Sequence, residues 1–336
     1  MREHAAGRLR RQTCSEGDGR RLGVILLILR RLALAVPLLL VVSALTFVLT
    51  AVAPGDPAAT LLGSSATPES VAALNAKLGL DDPIAVQYWH WLEHAIRGDL
   101  GTSAVTSQNV GEAIGARLPT TLSLVLLGTL VAAVVGVCLG MVSALGGRAL
   151  GRVTDVLAVA GYVIPNFWLG LMLVYLFAVK LGWLPATGYV AFGDSPPDWL
   201  RSLVLPVVAL AVMGTTAVAK QTRDALREVM GREFITVLRS DGFSERQIVF
   251  RHALRNAAIP IVTVTGVLFI GMFGGTVLIE SVFVLPGLGG LAVNSAQTGD
   301  ITMLQGVAVV FCLAVVATNL VVDLAYGWLN PKVRVR

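Results

Sequence analysis

Apolar residues in this chain come in long unbroken runs, and polar residues collect in the intervals between them. Six runs reach the length that a helix needs to cross the hydrocarbon core of a bilayer, about 20 mostly apolar residues. They cover residues 32–53, 122–145, 156–179, 203–219, 259–279 and 303–322. None alternates with period two, as a strand of a lipid-facing barrel would. A helix satisfies its own backbone where water is absent, so the expected fold is an all-α membrane protein with six transmembrane helices.

The intervals orient these runs, because Lys and Arg gather on the cytoplasmic side of a membrane protein. Eight arginines precede the first run, and six lie between Arg227 and Arg255. Interval 54–121 has only Lys77, Arg97 and Arg117, the third interval has Lys180 and Arg201 at its edges, and interval 280–302 has no basic residue. Arg148 and Arg152 mark the second interval, and Lys332, Arg334 and Arg336 close the chain. Every second interval is therefore basic, which places both termini in the cytoplasm. The first run follows a basic arm, residues 1–31, and ends in the small-x-small pattern Ala51, Val52, Ala53. It exceeds the roughly 7–15 apolar residues of a cleavable signal, and Pro54 follows, so it reads as a retained anchor.

Composition removes the alternatives to a membrane protein. Hydrophobic residues make up 55% of the 336 and charged residues 14%, against about 25% charged in soluble domains. That balance excludes both an average soluble enzyme and a disordered chain. Cys14, Cys138 and Cys312 lie far apart in the sequence and imply neither a disulfide framework nor a zinc site.

The extracytoplasmic connection, 54–121, is patterned. A helix is expected over about 68–80, then Asp81, Asp82 and Pro83 as a stop and restart, then an amphipathic helix over 84–96. Tyr88, Trp89 and Trp91 suit a helix at the headgroup level, and the same pattern fits a small packed cap. His90, Glu93 and His94 spell HxxEH, which places two imidazoles one turn apart in a zinc-peptidase pattern. A membrane metalloenzyme centred there would need a third ligand; after Glu112 no glutamate occurs until Glu228.

The interval of about 226–258 carries the sharpest signal. Phe234, Ile235, Val237 and Leu238 fall at helical spacing, Gly242 interrupts, and Ile248, Val249, Phe250 and Leu254 resume. Gly242 can end a helix in the left-handed conformation, and Ser244 with Gln247 forms a capping box for the next. The expected structure is an elbow of two short helices. Its apolar face, Phe234, Val237, Leu238 and Phe243 with Arg232, Glu233 and Arg239 around it, suits a groove on a partner protein; lying on anionic lipid is the alternative. Polar residues inside the runs are candidates for a translocation path, namely Asn166, Thr263, Thr265 and Asn319. The same types also serve as interhelical glue.

Several segments carry a resemblance. They are LGLDDPIAVQYWHWLEHAIRGDLGTS over 78–103, RLPTTL over 117–122, PNFWLG over 165–170, LGWLPATGY over 181–189, RHALRNAAIP over 251–260 and ESVFVLPGLG over 280–289. In this order, from about residue 30 onward, the chain closely resembles the membrane-spanning permeases of bacterial ATP-binding-cassette importers. It is most similar to the first of the two permeases in the dipeptide, oligopeptide and nickel branch. The elbow resembles that family's ATPase-contacting loop, with Gly242 on the family's glycine and Thr236, Val237 and Leu238 where its general pattern has Glu-Ala-Ala.

The resemblance implies a type I importer permease fold in the bacterial plasma membrane, with a core domain over 122–325 and a tail over 326–336. It further implies a second homologous permease, two nucleotide-binding ATPase subunits that hold ATP and Mg, an extracytoplasmic binding protein, contact with membrane lipid, and no nucleic acid. The chain itself would be non-catalytic and without cofactor; it has no GxxxxGK[ST] phosphate loop. Peptides are the expected substrate, with nickel, glutathione and haem as alternatives within the branch. The interval 280–302 would face the binding protein, with Pro286, Gly287, Leu288, Gly289 and Gly290 protruding toward it.

Overall fold

A computed structural model describes residues 29–31, 33–49, 57–63, 66–79, 81–103 and 105–329. The basic arm up to residue 28, residues 50–56 with the small-x-small pattern, and the tail from residue 330 lie outside the described residues. Within them every regular element is a helix, and the pairing of Thr102 with Asn109 is an isolated bridge.

The first helix, α1 (Leu29–Leu49), is long and apolar. Three short helices follow, α2 (Pro57–Leu62), α3 (Pro68–Leu78) and α4 (Ile84–Ile96). Thr67 and Ser70 form a capping box that starts α3, and Gly79 ends it with φ 68°. The bundle proper consists of α5 (Val110–Leu145), α6 (Arg148–Val163), α7 (Asn166–Leu173), α8 (Pro196–Met230), α11 (Leu254–Phe283) and α13 (Ile301–Leu329). The elbow helices α9 (Glu233–Ser240) and α10 (Glu245–Gln247) precede α11, and α12 (Leu288–Thr298) follows it.

Among the described residues, five helices contain a segment long and apolar enough to cross a membrane: α1, α5, α8, the continuous helix Glu245–Phe283, whose apolar run is 259–279, and Ile301–Ala325. The expected third run, 156–179, is not one helix. α6 ends at Val163, and α7 restarts after Pro165, which sits at φ −62° and ψ 134°. Proline has no N–H to donate and drives the residue before it out of the helical region. The apolar stretch after the break is 15 residues long, Asn166–Lys180, and its second half, Val174–Lys180, winds as a π-helix.

α8 lies at the centre, with Leu203, Leu210, Val218 and Leu226 all buried. In lipid, helices gain nothing from expelling water against one another, so close packing decides their association. Gly136 and Gly140 of α5 meet α8 so tightly that a Cβ on Gly140 would lie 2.5 Å from the Thr222 Cβ and 2.6 Å from the Ala219 carbonyl oxygen. Gly161 of α6 meets Thr216, and Gly266 of α11 meets Val322 of α13, in the same way.

Polar contacts join the periphery to this bundle. The Gln305 amide donates to the Ser43 carbonyl at 2.7 Å, the Ser43 and Tyr88 hydroxyls lie 2.8 Å apart, and Arg31 pairs with Asp323. Asp300 accepts from Ser103 at 2.5 Å and from the Met303 N–H at 3.1 Å, which fastens the 101–109 loop to the start of α13.

Candidate functional site: the elbow and the far end of α11

The elbow is encoded by local hydrogen bonds. After α9, Gly242 takes φ +81° with open space around its absent Cβ, so glycine is required there by conformation and not by crowding. The Gly242 N–H donates to the Arg239 carbonyl and the Phe243 N–H to the Leu238 carbonyl, each at 3.1 Å. This is a Schellman closure, which satisfies the last carbonyls of a helix. Ser244 and Gln247 then cap α10 reciprocally, and a π-helical turn, Ile248–Ala253, leads directly into α11. π-turns inside longer helices concentrate at functional sites.

Arg239 bridges the turn to Glu245 through two hydrogen bonds, at 2.7 and 3.3 Å. Those bonds hold the Glu245 carboxyl below the ordinary glutamate range. A depressed carboxyl stabilises the fold above its unfolded value and loses that contribution as pH falls through the folded one. Amide protection across 239–247, the exchange rate relative to the intrinsic rate at the same pH, is therefore expected to be flat at neutral pH and to fall below about pH 4.3, the free glutamate value. The Glu245→Gln protein should show no such pH step; an equal step in both would discount the bridge.

The elbow has two faces. Ile235, Ile248, Val249 and Ala253 are buried within this chain. Phe234 is 36% exposed, Val237 57% and Phe243 41%, so these three present an apolar surface, with Arg232, Glu233, Arg239 and Ser244 also exposed around them. Leu238, expected beside them, is half-buried. Phe250, which the sequence pattern left undistinguished on the second helix, is 62% exposed.

The path candidates do not form one cluster. Asn166 is half-buried at the first position of α7, and its amide nitrogen faces Gly275 of α11, 3.9 Å from where a Cβ would stand. Thr263 and Thr265 lie several turns away along α11 and donate to the carbonyls of Ile259 and Ile261 in their own helix. Asn319 is half-buried on α13. In the HxxEH stretch, His90, Glu93 and His94 are exposed, Glu93 pairs with Arg97 at 2.8 Å, and the His94 Nδ1 lies 2.8 Å from the His90 carbonyl. No group of three metal-capable side chains occurs among the described residues.

At the far end of α11 the structure corrects the expected protrusion of 286–290. Pro286 is exposed, but Gly287, Leu288 and Gly289 are buried and Gly290 is half-buried. Leu288 to Gly290 form the first turn of α12, whose cap, Gly287, offers no side chain. The orphan N–H groups of that turn are capped by two other helices. The Leu288 N–H donates to the Thr121 hydroxyl of α5 at 2.8 Å, and the Gly290 N–H donates to the Glu280 carboxyl of α11 at 3.0 Å. Thr121 in turn donates to Glu280 at 2.7 Å. Both side chains are buried, Glu280 at 1% exposure and Thr121 at 0%. A Cβ on Gly287 would stand 2.1 Å from the carboxyl carbon, which is why the reversal needs glycine there. The sequence pattern puts Glu280 at the head of a loop; the signal for a buried cap is a carboxylate ending an apolar run, with PGLG starting six residues later.

A sequence model of the family "Binding-protein-dependent transport system inner membrane component" matches residues 136–335, and its N-terminal companion matches residues 24–125. The chain belongs to this family. As an inner-membrane component of such a transport system it is a multi-pass membrane protein, and the two matches take in the elbow, Thr121 and the Glu280 reversal. It is 43% identical over 309 residues, 92% of this chain and 98% of the relative, to a protein of Brucella abortus (strain 2308) named as a peptide transport system permease. It is 37% identical over 308 residues to the glutathione transport system permease protein GsiC of Salmonella typhi, covering 91% and 98% of the two chains. Among solved structures, an inward-facing form of the MetNI methionine ABC transporter has a chain that superposes with a TM-score of 0.53 at 19% identity, covering 65% of this chain and 96% of that one. That likeness shows a shared fold.

Proposed function

We propose that this chain is the permease subunit of an ATP-driven, binding-protein-dependent importer of dipeptides or oligopeptides. It forms half of the translocation path beside a second, homologous permease. The elbow docks in a groove of a separate ATPase subunit through Phe234, Val237, Leu238 and Phe243, flanked by Arg232, Glu233 and Arg239 and hinged at Gly242 and Ser244. ATP and Mg bind to the two ATPase subunits, and this chain is non-catalytic. An extracytoplasmic binding protein delivers the substrate to the opposite face, where Pro286 is exposed on the reversal. Asn166, Thr263, Thr265 and Asn319 contribute polar groups along the path.

The exposed apolar triad on an elbow that is otherwise tied into its own chain carries this reading. A helix face outside lipid that leaves a phenylalanine and a valine uncovered gains by closing on a partner. Orientation follows the charges: Arg232, Arg239, Arg246, Arg251 and Arg255 lie at the elbow end, which puts the elbow and both termini in the cytoplasm. In this arrangement α6 and α7 together make the third of six crossings. Peptide as the cargo rests on the name of the Brucella abortus relative, and the tripeptide glutathione, the cargo named for the Salmonella relative, falls in the same chemical class. Nucleotide must bind the closed ATPase pair more tightly than the open pair, and the elbow passes that difference to the helices.

Reconstituting the chain with its companion subunits and binding protein should give ATP-dependent uptake of a labelled dipeptide, and omitting the ATPase subunits should abolish it. Uptake or ATP hydrolysis by the isolated chain would overturn the assignment.

A further inference from the structure

A buried carboxyl at the end of a membrane-length helix is costly, and hydrocarbon of similar volume would hold three helices together with less desolvation. At Glu280 the cost is combined with strain. Val284, four residues after Glu280 and the first beyond α11, adopts φ 52° and ψ 50° and is 67% exposed. A β-branched residue in the left-handed region is a genuine outlier, and such outliers persist only where the surroundings over-determine them. Here the surroundings are visible. The Leu285 N–H donates to the Glu280 carbonyl at 2.8 Å, Phe283 and Leu285 are buried on either side, and the Phe283 carbonyl accepts the Gly188 N–H at 3.1 Å. The Glu280 side chain then holds the first turn of α12, directly and through Thr121.

α11 connects this knot to the elbow. Its near end is continuous with the elbow through the π-turn Ile248–Ala253, and its far end is Glu280 to Phe283. At 1.5 Å per residue its 30 residues make a rod of roughly 45 Å. A displacement of the elbow can reach the opposite face through this rod, but a rod alone does not move its neighbours. The Glu280 and Thr121 contacts clamp α5, three turns into that helix, to the last turn of α11 and the first turn of α12, with Thr121 and Glu280 159 residues apart in sequence.

We infer that Glu280 and Thr121 are positioning residues of the transport cycle: their knot makes α5 around Thr121, the last turn of α11 and the first turn of α12 move as one body, so that elbow movement reaches the reversal bearing Val284 and Pro286. The inference rests on the importer reading above and assigns these two residues a coupling role within it.

The readout is the number of substrate molecules transported per ATP hydrolysed, in proteoliposomes holding the whole complex with its binding protein and a labelled dipeptide. Thr121→Val removes the hydroxyl that serves both Glu280 and Leu288 at nearly constant volume, and Thr121→Ser restores it. Thr121→Val is expected to lower the ratio about tenfold, within the usual range of coupling between sites, with ATP hydrolysis retained, and Thr121→Ser should stay near wild type. Glu280→Gln, which keeps the size but weakens the cap, should fall between them. If Thr121→Val lowers transport and hydrolysis in parallel, or leaves the ratio unchanged, the coupling role is overturned. If both Thr121→Val and Glu280→Gln fail to assemble with the ATPase subunits, the knot serves folding alone, which also overturns it. Absence of ATP-driven uptake in the wild-type complex would instead sink the importer reading, so the two failures are distinguishable.

Discussion

Val237→Glu is expected to abolish ATP-driven uptake while leaving the chain in the membrane with its helices intact. Val237 is 57% exposed on α9, so its replacement removes little packing within the chain. In a partner groove, however, the new carboxylate would be desolvated with no matched donor, at a cost of about 3 kcal/mol. At 1.4 kcal/mol per decade that weakens docking by about two orders of magnitude. Co-purification of the ATPase subunits with the tagged variant measures it, and normal recovery with normal uptake would remove the docking role. Ile235→Glu provides the contrast. Ile235 is fully buried beside the elbow's own π-turn, so that variant should lose the elbow itself, seen as rapid hydrogen exchange across 233–253 before any partner is added.

Gly140→Ala is expected to destabilise the bundle more than its single methyl group suggests. The added Cβ would stand 2.5 Å from the Thr222 Cβ and 2.6 Å from the Ala219 carbonyl oxygen. Neither is the free end of a flexible chain, so α5 and α8 must separate. Overpacking of this kind costs about 1–3 kcal/mol, and here it falls on the most extensive helix pair of the fold. The control is on the same helix. Gly115 has no atom within 4 Å of its Cβ position, so Gly115→Ala should be neutral or gain the helix preference of alanine, about 0.5–1 kcal/mol. Thermal unfolding of the two purified variants in detergent measures the difference. A Gly140→Ala midpoint equal to that of Gly115→Ala would show that the close contact is not required.

How far the elbow could be read in advance follows from the range of its forces. Gly242, Ser244, Gln247 and the Arg239 to Glu245 bridge act over at most six residues, so each appears as a spacing in the sequence. α4 is equally local, and it occupies Ile84–Ile96, the stretch expected from its flanking Pro83 and its amphipathic pattern. The elbow's exposed face was only half legible, because Val237 and Leu238 look alike in a periodic pattern, whereas the fold leaves Val237 exposed and Leu238 half-buried.

Prolines show the limit on the helices themselves. Pro119, Pro206 and Pro260 lie inside α5, α8 and α11, which continue through them, whereas Pro165 ends one helix and starts another. Each removes one backbone donor, and whether the chain bends or breaks depends on what packs around the gap. Glycines behave alike: Gly140 and Gly115 share a helix and a composition, and only the approach of α8 distinguishes them.

The amino-acid sequence by itself determined the membrane-length helices, the alternation of basic and neutral intervals, and the turn chemistry of the elbow. These depend on hydropathy, charge and hydrogen bonds between near neighbours, all of which are present in an isolated segment. Tertiary structure alone decided that the third run is broken, that residues 287–289 are buried, and that Glu280 is internal. Those outcomes depend on a partner far away in the chain, and the identity of the Thr121 hydroxyl as that partner exists only once α5, α11 and α12 have met.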